Sequence, residues 1–338
     1  MTIRKIFLLF LASAFILILP ALATAADDSA GASETATVQA GEKGKKLPCV
    51  SHKPEEKPTC AAPPLPPHSI EGPGGIFITH VAYLVNPGQH SPVGMPTFGL
   101  SYANLEKKDF MAATFSETLF NRIELSYAFN NLQLGDLRRD IKDMTGLDTG
   151  SNHVQMHNFN LRANLVPEGS FGLNWMPALT AGVHFKNNED VDSIDKHLGG
   201  VLSTLGVDDD HGIDYTLVAT KMISGVFPRP LLLTAGMRMT KACHIGLLGF
   251  SDHYSTQAEL NFAQFLTDRL LIVGEFRSKP DKLDELPGMV EEEDDWWTLA
   301  FCYILNNHST MTLGYFHPGM LLNEDVNNGL AARLMWEF

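Results

Sequence analysis

From Gly75 onward the chain is built of short segments in which apolar and polar residues take alternate positions. A two-residue period suits one kind of backbone, an extended strand with two unlike faces. In "YSTQAELNFAQ", Tyr254, Thr256, Ala258, Leu260 and Phe262 alternate with Ser255, Gln257, Glu259, Asn261 and Ala263. In "NRIELSYAF", Ile123, Leu125, Tyr127 and Phe129 oppose Arg122, Glu124, Ser126 and Ala128. "NFNLRANL" sets Phe159, Leu161, Ala163 and Leu165 against Asn158, Asn160, Arg162 and Asn164. "LTAGVHF" sets Leu179, Ala181, Val183 and Phe185 against Thr180, Gly182, His184 and Lys186. "WTLAFCYIL" places Trp297, Leu299, Phe301, Tyr303 and Leu305 on one face. Further segments begin near Ile76, Pro96, Phe110, Gly212, Leu231, Arg269, Ser309 and Gly329, thirteen strands at the most generous count. The doubtful one is "GIFITHVAYLV", Gly75 to Val85, which reads either as a strand or as a segment threaded through a lumen.

Both a soluble β-sandwich and a membrane barrel alternate in this way. Segments of about 9–12 residues favour the barrel, because a tilted strand needs about 9–11 residues to cross a bilayer and sandwich strands are shorter. Aromatic residues gather near segment ends (Tyr127, Phe129, Tyr254, Phe262, Trp297, Tyr315, Trp336, Phe338), as the two interfaces of a bilayer require. The opposite faces carry Arg122, Glu124, Arg162, Arg238, Glu259, Glu275, Arg277, Arg333 and Glu337, expected to face a wet lumen. Short turns fall near Phe120–Asn121, Thr267–Asp268 and Asn306–His308, and long connections across 130–152, 187–211, 241–253, 278–294 and 318–328. The expected fold is all-β, a transmembrane antiparallel up-and-down β-barrel of about twelve strands (12–14) over residues 75–338. The number should be even if both ends lie on one side. The closing "GLAARLMWEF" puts Leu334, Trp336 and Phe338 on one face and resembles the terminal targeting strand read by the barrel-assembly machinery.

The first 25 residues have a basic start at Arg4 and Lys5, an apolar run from Ile6 to Leu19, and small residues Ala23 and Ala25. That is the pattern of a secretory signal peptide cleaved after Ala25. Cleavage takes the net charge from −14 to −16, since two bases and no acids are lost. So acidic a chain repels nucleic acid. Residues 26–74 are Ala/Gly/Ser/Thr-rich and then Lys/Pro-rich, with too little apolar surface to order themselves, and read as a disordered periplasmic linker able to reach the cell wall. Export to an oxidising compartment makes Cys49 and Cys60 the expected disulfide pair and leaves the roles of Cys243 and Cys302 open. The expected location is the outer membrane of a Gram-negative cell, in contact with its lipid and lipopolysaccharide.

Several stretches, "EGPGG" at 71–75, "NRIELSYAFNNLQLGD" at 121–136, "TKACHIGLLGFSDHY" at 240–254, "EFRSKPDKL" at 275–283 and "EEDDWWTLAFCYILNNHSTMTLGYFHPG" at 292–319, resemble an uncharacterised Gram-negative family. It is the group of exported proteins filed as domain of unknown function thirty thirty-four. The likeness spans about residues 70–338. It implies the compartment and the barrel and brings no catalytic residues.

The residues themselves nominate no catalytic centre. His184, His253 and His308 and many serines are present, but no Gly-x-Ser-x-Gly turn, so an enzyme is not expected and a lipid hydrolase is the remotest reading. Two stretches each hold eight acids, one between Asn187 and Asp214 and one between Ser278 and Asp295. Such carboxylates could bind Ca²⁺, although solvated outer loops are the plainer reading, and no metal site or other cofactor is assigned. The leading expectation is a passive channel for small polar solutes, its acidic loops mildly favouring cations. The alternative is a closed structural or surface-interaction barrel.

Overall fold

The computed structural model describes residues 67–88, 91–283, 293–321 and 324–338. The expected signal peptide, nearly all of the linker and the Cys49–Cys60 pair lie outside these residues.

Strands form wherever the alternation is sustained: β1 (Thr97–Leu105), β2 (Lys108–Leu119), β3 (Ile123–Gln133), β4 (His153–Val166), β5 (Ala178–Asn188) and β6 (His211–Ile223). They continue as β7 (Leu231–Ala242), β8 (Phe250–Phe265), β9 (Leu270–Arg277), β10 (Trp296–Asn306), β11 (Ser309–His317) and β14 (Gly329–Glu337). These twelve make one closed antiparallel barrel in which each strand pairs with its sequence neighbour and β1 pairs with β14. The short β12 (Gly319–Leu321) and β13 (Glu324–Val326) form a separate hairpin between β11 and β14. Closure runs from Thr97 opposite Glu337 to Asn104 opposite Leu330, so neither edge strand is left with bare N–H and C=O groups.

The two-residue period becomes an inside and an outside. In β14, Leu330, Leu334 and Trp336 are exposed while Gly329, Ala331, Arg333, Met335 and Glu337 are buried. The same parity holds in β4, where Phe159 and Leu161 face out and Asn158, Asn160 and Arg162 face in. Outward side chains stack across strands: Tyr127, Phe159 and Phe185 stand in register on β3, β4 and β5, with ring centroids 5.2 and 6.4 Å apart. Phe98 packs edge-on against Phe338 at 5.7 Å, and His308 stacks on Trp336. A continuous apolar belt around the outside and polar groups within are the build of a bacterial outer-membrane barrel.

The connections sort by rim. Those at 134–152, 189–210, 243–249, 278–295 and 318–328 leave one rim, with the tight turn at 106–107. The turns at 120–122, 266–269 and 307–308 leave the other, with intermediate loops at 167–177 and 224–230, and there the chain also enters β1 and leaves β14. The long-loop rim carries helices that the alternating pattern did not announce: α1 (Leu137–Thr145), α2 (Val191–His197) and α3 (Val201–Thr204). Gly146 ends α1 in a left-handed conformation and donates its N–H to Lys142 O at 2.9 Å. Asp195 caps α3, accepting from Leu202 N at 2.7 Å and Ser203 Oγ at 2.6 Å. Together with Leu247 and Leu248 of the 243–249 loop, the apolar sides of these helices line a small apolar pocket of about 70 Å³.

One open alternative is decided in favour of the threaded segment, and two expectations are corrected. Gly75–Val85 is not a strand; it lies buried inside the barrel, which removes the thirteenth strand and leaves an even number. The linker boundary at residue 74 falls too late, because His68, Ser69, Ile70 and Glu71 are buried with that same segment. Arg122 does not face the lumen: it sits in the β2–β3 turn, exposed, donating to Asn164 O at 3.3 Å. The turn falls at Phe120–Asn121 as expected, both with positive φ, but runs on through Arg122 before β3 begins.

Leu217 stands halfway along β6 on the outward face. Leu217→Arg should lower the unfolding free energy of vesicle-embedded protein by about 2–4 kcal/mol, the cost of a cation in mid-bilayer. Unfolding in denaturant checks this, with Asp143→Asn at an exposed position of the 134–152 connection as the neutral comparison.

Candidate functional site: a segment threaded through the lumen

Residues 67–85 make no extended strand pairing, only single bridges such as His68 with Gly74 and Gly75 with His80. Nearly every residue from His68 to Val85 is buried, so the backbone must find partners away from water. It finds them in the inward side chains of the wall. Glu275 of β9 accepts from three consecutive amides, Phe77 N at 3.0 Å, Ile78 N at 2.9 Å and Thr79 N at 2.8 Å, and from Thr79 Oγ1 at 2.8 Å. Glu124 of β3 accepts from Gly74 N at 3.0 Å and Val85 N at 2.8 Å. Cations satisfy the carbonyls. Arg162 of β4 donates to Gly74 O, Val81 O and Tyr83 O, at 3.1, 2.7 and 3.0 Å. Arg333 of β14 donates to His68 O and Ile76 O, and its guanidinium lies 4.5 Å from the centre of the Phe77 ring. Asn130, Asn160 and Asn261 donate to Ile70 O, Glu71 O and His80 O at 2.8, 2.8 and 3.0 Å.

The charged wall groups are also paired with one another. Glu124 and Arg162 face each other in register on β3 and β4, joined by two bonds of 3.0 Å. Arg238 of β7 donates Nε to Glu259 Oε1 at 2.8 Å and Nη1 to Asp214 Oδ2 at 2.8 Å. Arg277 of β9 reaches Glu259 at 3.0 Å, and Lys186 of β5 reaches Asp214 at 2.8 Å.

Into this second cluster the threaded segment inserts one carboxylate. Glu71 receives Lys186 Nζ at 2.5 Å, Arg238 Nη2 at 2.9 Å and Arg277 Nη2 at 2.9 Å. The turn that aims it is the "EGPGG" stretch. Gly72 has φ +108°, and a Cβ there would come within 3.1 Å of Asn160 Nδ2 and Tyr127 O, so only glycine fits. Ser69 N donates to Pro73 O at 2.7 Å and closes the loop.

Of the residues expected to line the lumen, Glu124, Arg162, Arg238, Glu259, Glu275, Arg277, Arg333 and Glu337 are buried on the inner face, and the first seven join the network around the segment. Glu337 lies apart from it, at the rim where the termini of the barrel meet. Leu334, Trp336 and Phe338 are exposed on the outer face. Lys186 and Asp214 were missed as charged members of the lumen, although parity alone places Lys186 beside His184 on the polar side of β5. Glu71 was missed because it lies in a stretch with linker composition. The three histidines do not converge. His184 is buried between Asn160 and Thr216, His253 is exposed beside Asp252, and His308 bonds to Glu337 O in a turn at the rim where the chain leaves β14.

Beyond the strands, at the long-loop rim, His244 Nε2 lies 2.6 Å from Glu293 and Lys279 Nζ 3.5 Å from it. Burial works to raise Glu293, but His244 and Lys279 override it and hold the carboxyl below its ordinary value. Burial lowers His244 more than Glu293 raises it. Burial pushes the Cys243 thiol up to about 12, so it stays protonated and inert, and Cys302 is likewise buried and free of a disulfide. Among the described residues no group of three or more His, Cys, Asp or Glu side chains could hold a metal ion.

Arg162→Met would strand Glu124 without its cation in a buried site and should cost about 3–5 kcal/mol of stability. Adding Glu124→Gln should recover a large part of that loss. Equilibrium unfolding of the single and double variants in the same detergent measures both.

Solved structures similar to this chain include a porin and proteins of the outer membrane. The KdgM porin shares 8% identity over 72% of this chain and 99% of its own, with a TM-score of 0.43. The COG4313 outer membrane channel from Pseudomonas putida F1 shares 12% identity over 75% of this chain and 100% of its own, with a TM-score of 0.41. The outer membrane phospholipase of Salmonella typhi, a dimer with bound calcium, shares 10% over 74% and 93%, with a TM-score of 0.37. No curated protein matches the chain. Residues 67–333 match the family described as Protein of unknown function (DUF3034). That span holds the threaded segment together with nearly the whole barrel around it, and the chain belongs to the DUF3034 family.

Proposed function

We propose that the protein is an outer-membrane channel for small polar solutes, held shut at rest by its own residues 67–85. The observation that carries this reading is how the lumen is filled. Small barrels of about eight strands are packed by their wall side chains, whereas a wider lumen leaves room for something else. Here the occupant is a separate length of chain. It is bound to side chains of the wall by hydrogen bonds and ion pairs and makes no strand pairing with the barrel. Contacts of that kind can be exchanged for water, so displacement of the segment would open a passage lined with charged and polar groups. The apolar belt is proposed to lie in lipid. The long acidic connections would then face the cell exterior, beside lipopolysaccharide, with the short-turn rim in the periplasm.

The permanently closed barrel is the competing reading. It is favoured by the balance of charge around the segment. Five wall cations (Arg162, Lys186, Arg238, Arg277, Arg333) meet four wall carboxylates (Glu124, Asp214, Glu259, Glu275), and Glu71 makes the signs equal. Planar-bilayer recording separates the two. The intact protein should give rare, small current steps, and a variant lacking residues 67–85 should give sustained and several-fold larger ones. Both preparations are first shown by gel mobility to be folded barrels. Silence from both would sink the channel reading.

A further inference from the structure

We infer that the inner wall of the barrel carries a carboxylate-binding site, formed by Lys186, Arg238 and Arg277, and that Glu71 occupies it in place of a solute's carboxylate. All three cations belong to the wall, on β5, β7 and β9, whereas the carboxylate they hold belongs to the threaded segment. The cluster is therefore complete as a receptor before Glu71 arrives.

Its charge arithmetic points the same way. The three cations share two wall carboxylates, Asp214 and Glu259, which leaves one positive charge unmatched where every member is no more than 2% exposed. An unmatched buried charge is costly, so with the segment in place the site favours one negative charge between its cations. The geometry selects its kind. Arg238 presents two nitrogens to the two oxygens of Glu71, Nη1 to Oε1 at 3.3 Å and Nη2 to Oε2 at 2.9 Å, in the parallel fork that suits a planar carboxylate. Lys186 closes on Oε1 and Arg277 on Oε2, so each oxygen has two cationic donors. A dianion such as phosphate would bring a second negative charge beside Asp214 and Glu259. A monocarboxylate would not.

The wall cations and carboxylates are already locked to one another by bonds that do not involve Glu71. Arg238 keeps Glu259 and Asp214, Arg277 keeps Glu259, and Lys186 keeps Asp214. The donors thus remain oriented when Glu71 leaves, as a preorganised site requires. In the resting protein, Glu71 is a self-ligand. An external carboxylate of the same shape competes with it, and its binding removes the three ion pairs through which Glu71 holds the segment in place. This use of the site rests on the channel reading, but the existence of the site does not.

The test removes the self-ligand and supplies a free one. In the full-length mature protein, Glu71→Ala leaves room for a small carboxylate and restores the unmatched charge. Thermal unfolding is followed in detergent with sodium acetate, with sodium chloride at equal ionic strength, and with sodium phosphate. Acetate should raise the midpoint of Glu71→Ala by several degrees over chloride and saturate in the millimolar range. It should do little to the wild type or to Glu71→Gln, whose amide fills the space, and nothing to Glu71→Ala/Arg277→Met, which has no surplus charge. A Glu71→Ala chain equally stable in acetate and chloride, or unable to assemble in either, would overturn the site. Phosphate that matched acetate would overturn its assignment to carboxylates. Because the readout is unfolding, acetate can succeed here even where bilayer recording finds no current, and the site and the channel then stand or fall separately.

Discussion

A chain that pairs with no strand can lie inside a barrel only if something else satisfies its backbone. Water cannot do so where the segment is fully buried, and an unmet N–H or C=O would cost free energy at each residue. The inward carboxylates and guanidinium groups meet this demand: Glu275 gathers three successive amides, and Arg162 reaches three carbonyls from one side chain. Charged groups suit the task because a carboxylate accepts several bonds at once and a guanidinium offers five N–H donors in a fixed fork. The path of residues 67–85 and the identity of the inward residues are thus one constraint seen from two sides.

This also decides what the buried ions contribute. Buried ion pairs seldom stabilise a fold more than well-packed apolar residues would, because desolvation offsets their attraction. Their effect here is on position. Glu124 binds Gly74 and Val85, residues far apart along the segment, and holds a reversing course between them. Glu71 ties the turn at Gly72 to three different strands. Apolar contacts from Ile76, Phe77, Ile78 and Val81 supply burial, and the ions supply register.

The barrel itself was largely legible from alternation. In β3, β4, β5, β8 and β10 the parity of apolar and polar residues matched the outer and inner faces, because strand geometry alone sends neighbouring side chains to opposite sides. Rim asymmetry was legible from the spacing of turn residues. Arg122 was misplaced because parity says nothing about where a strand gives way to a turn. The helices α1, α2 and α3 were missed because each is short and takes its stability from the apolar cluster at the long-loop rim. The site was half legible: Glu124, Arg162, Arg238, Glu259, Glu275, Arg277 and Arg333 could be placed inside, but not assigned partners.

Local pattern, then, determined that this chain alternates, how many strands it could form, and which charges turn away from the apolar belt. Those properties depend on bond geometry and on nearest neighbours along the chain. Tertiary structure alone decided that Gly75–Val85 threads the lumen, that Glu71 meets Lys186, Arg238 and Arg277, and that the inner charges bind backbone amides and carbonyls. These contacts join residues from 39 to more than two hundred positions apart. They exist only once β1 has closed on β14, since closure is what turns a polar face into an enclosed wall.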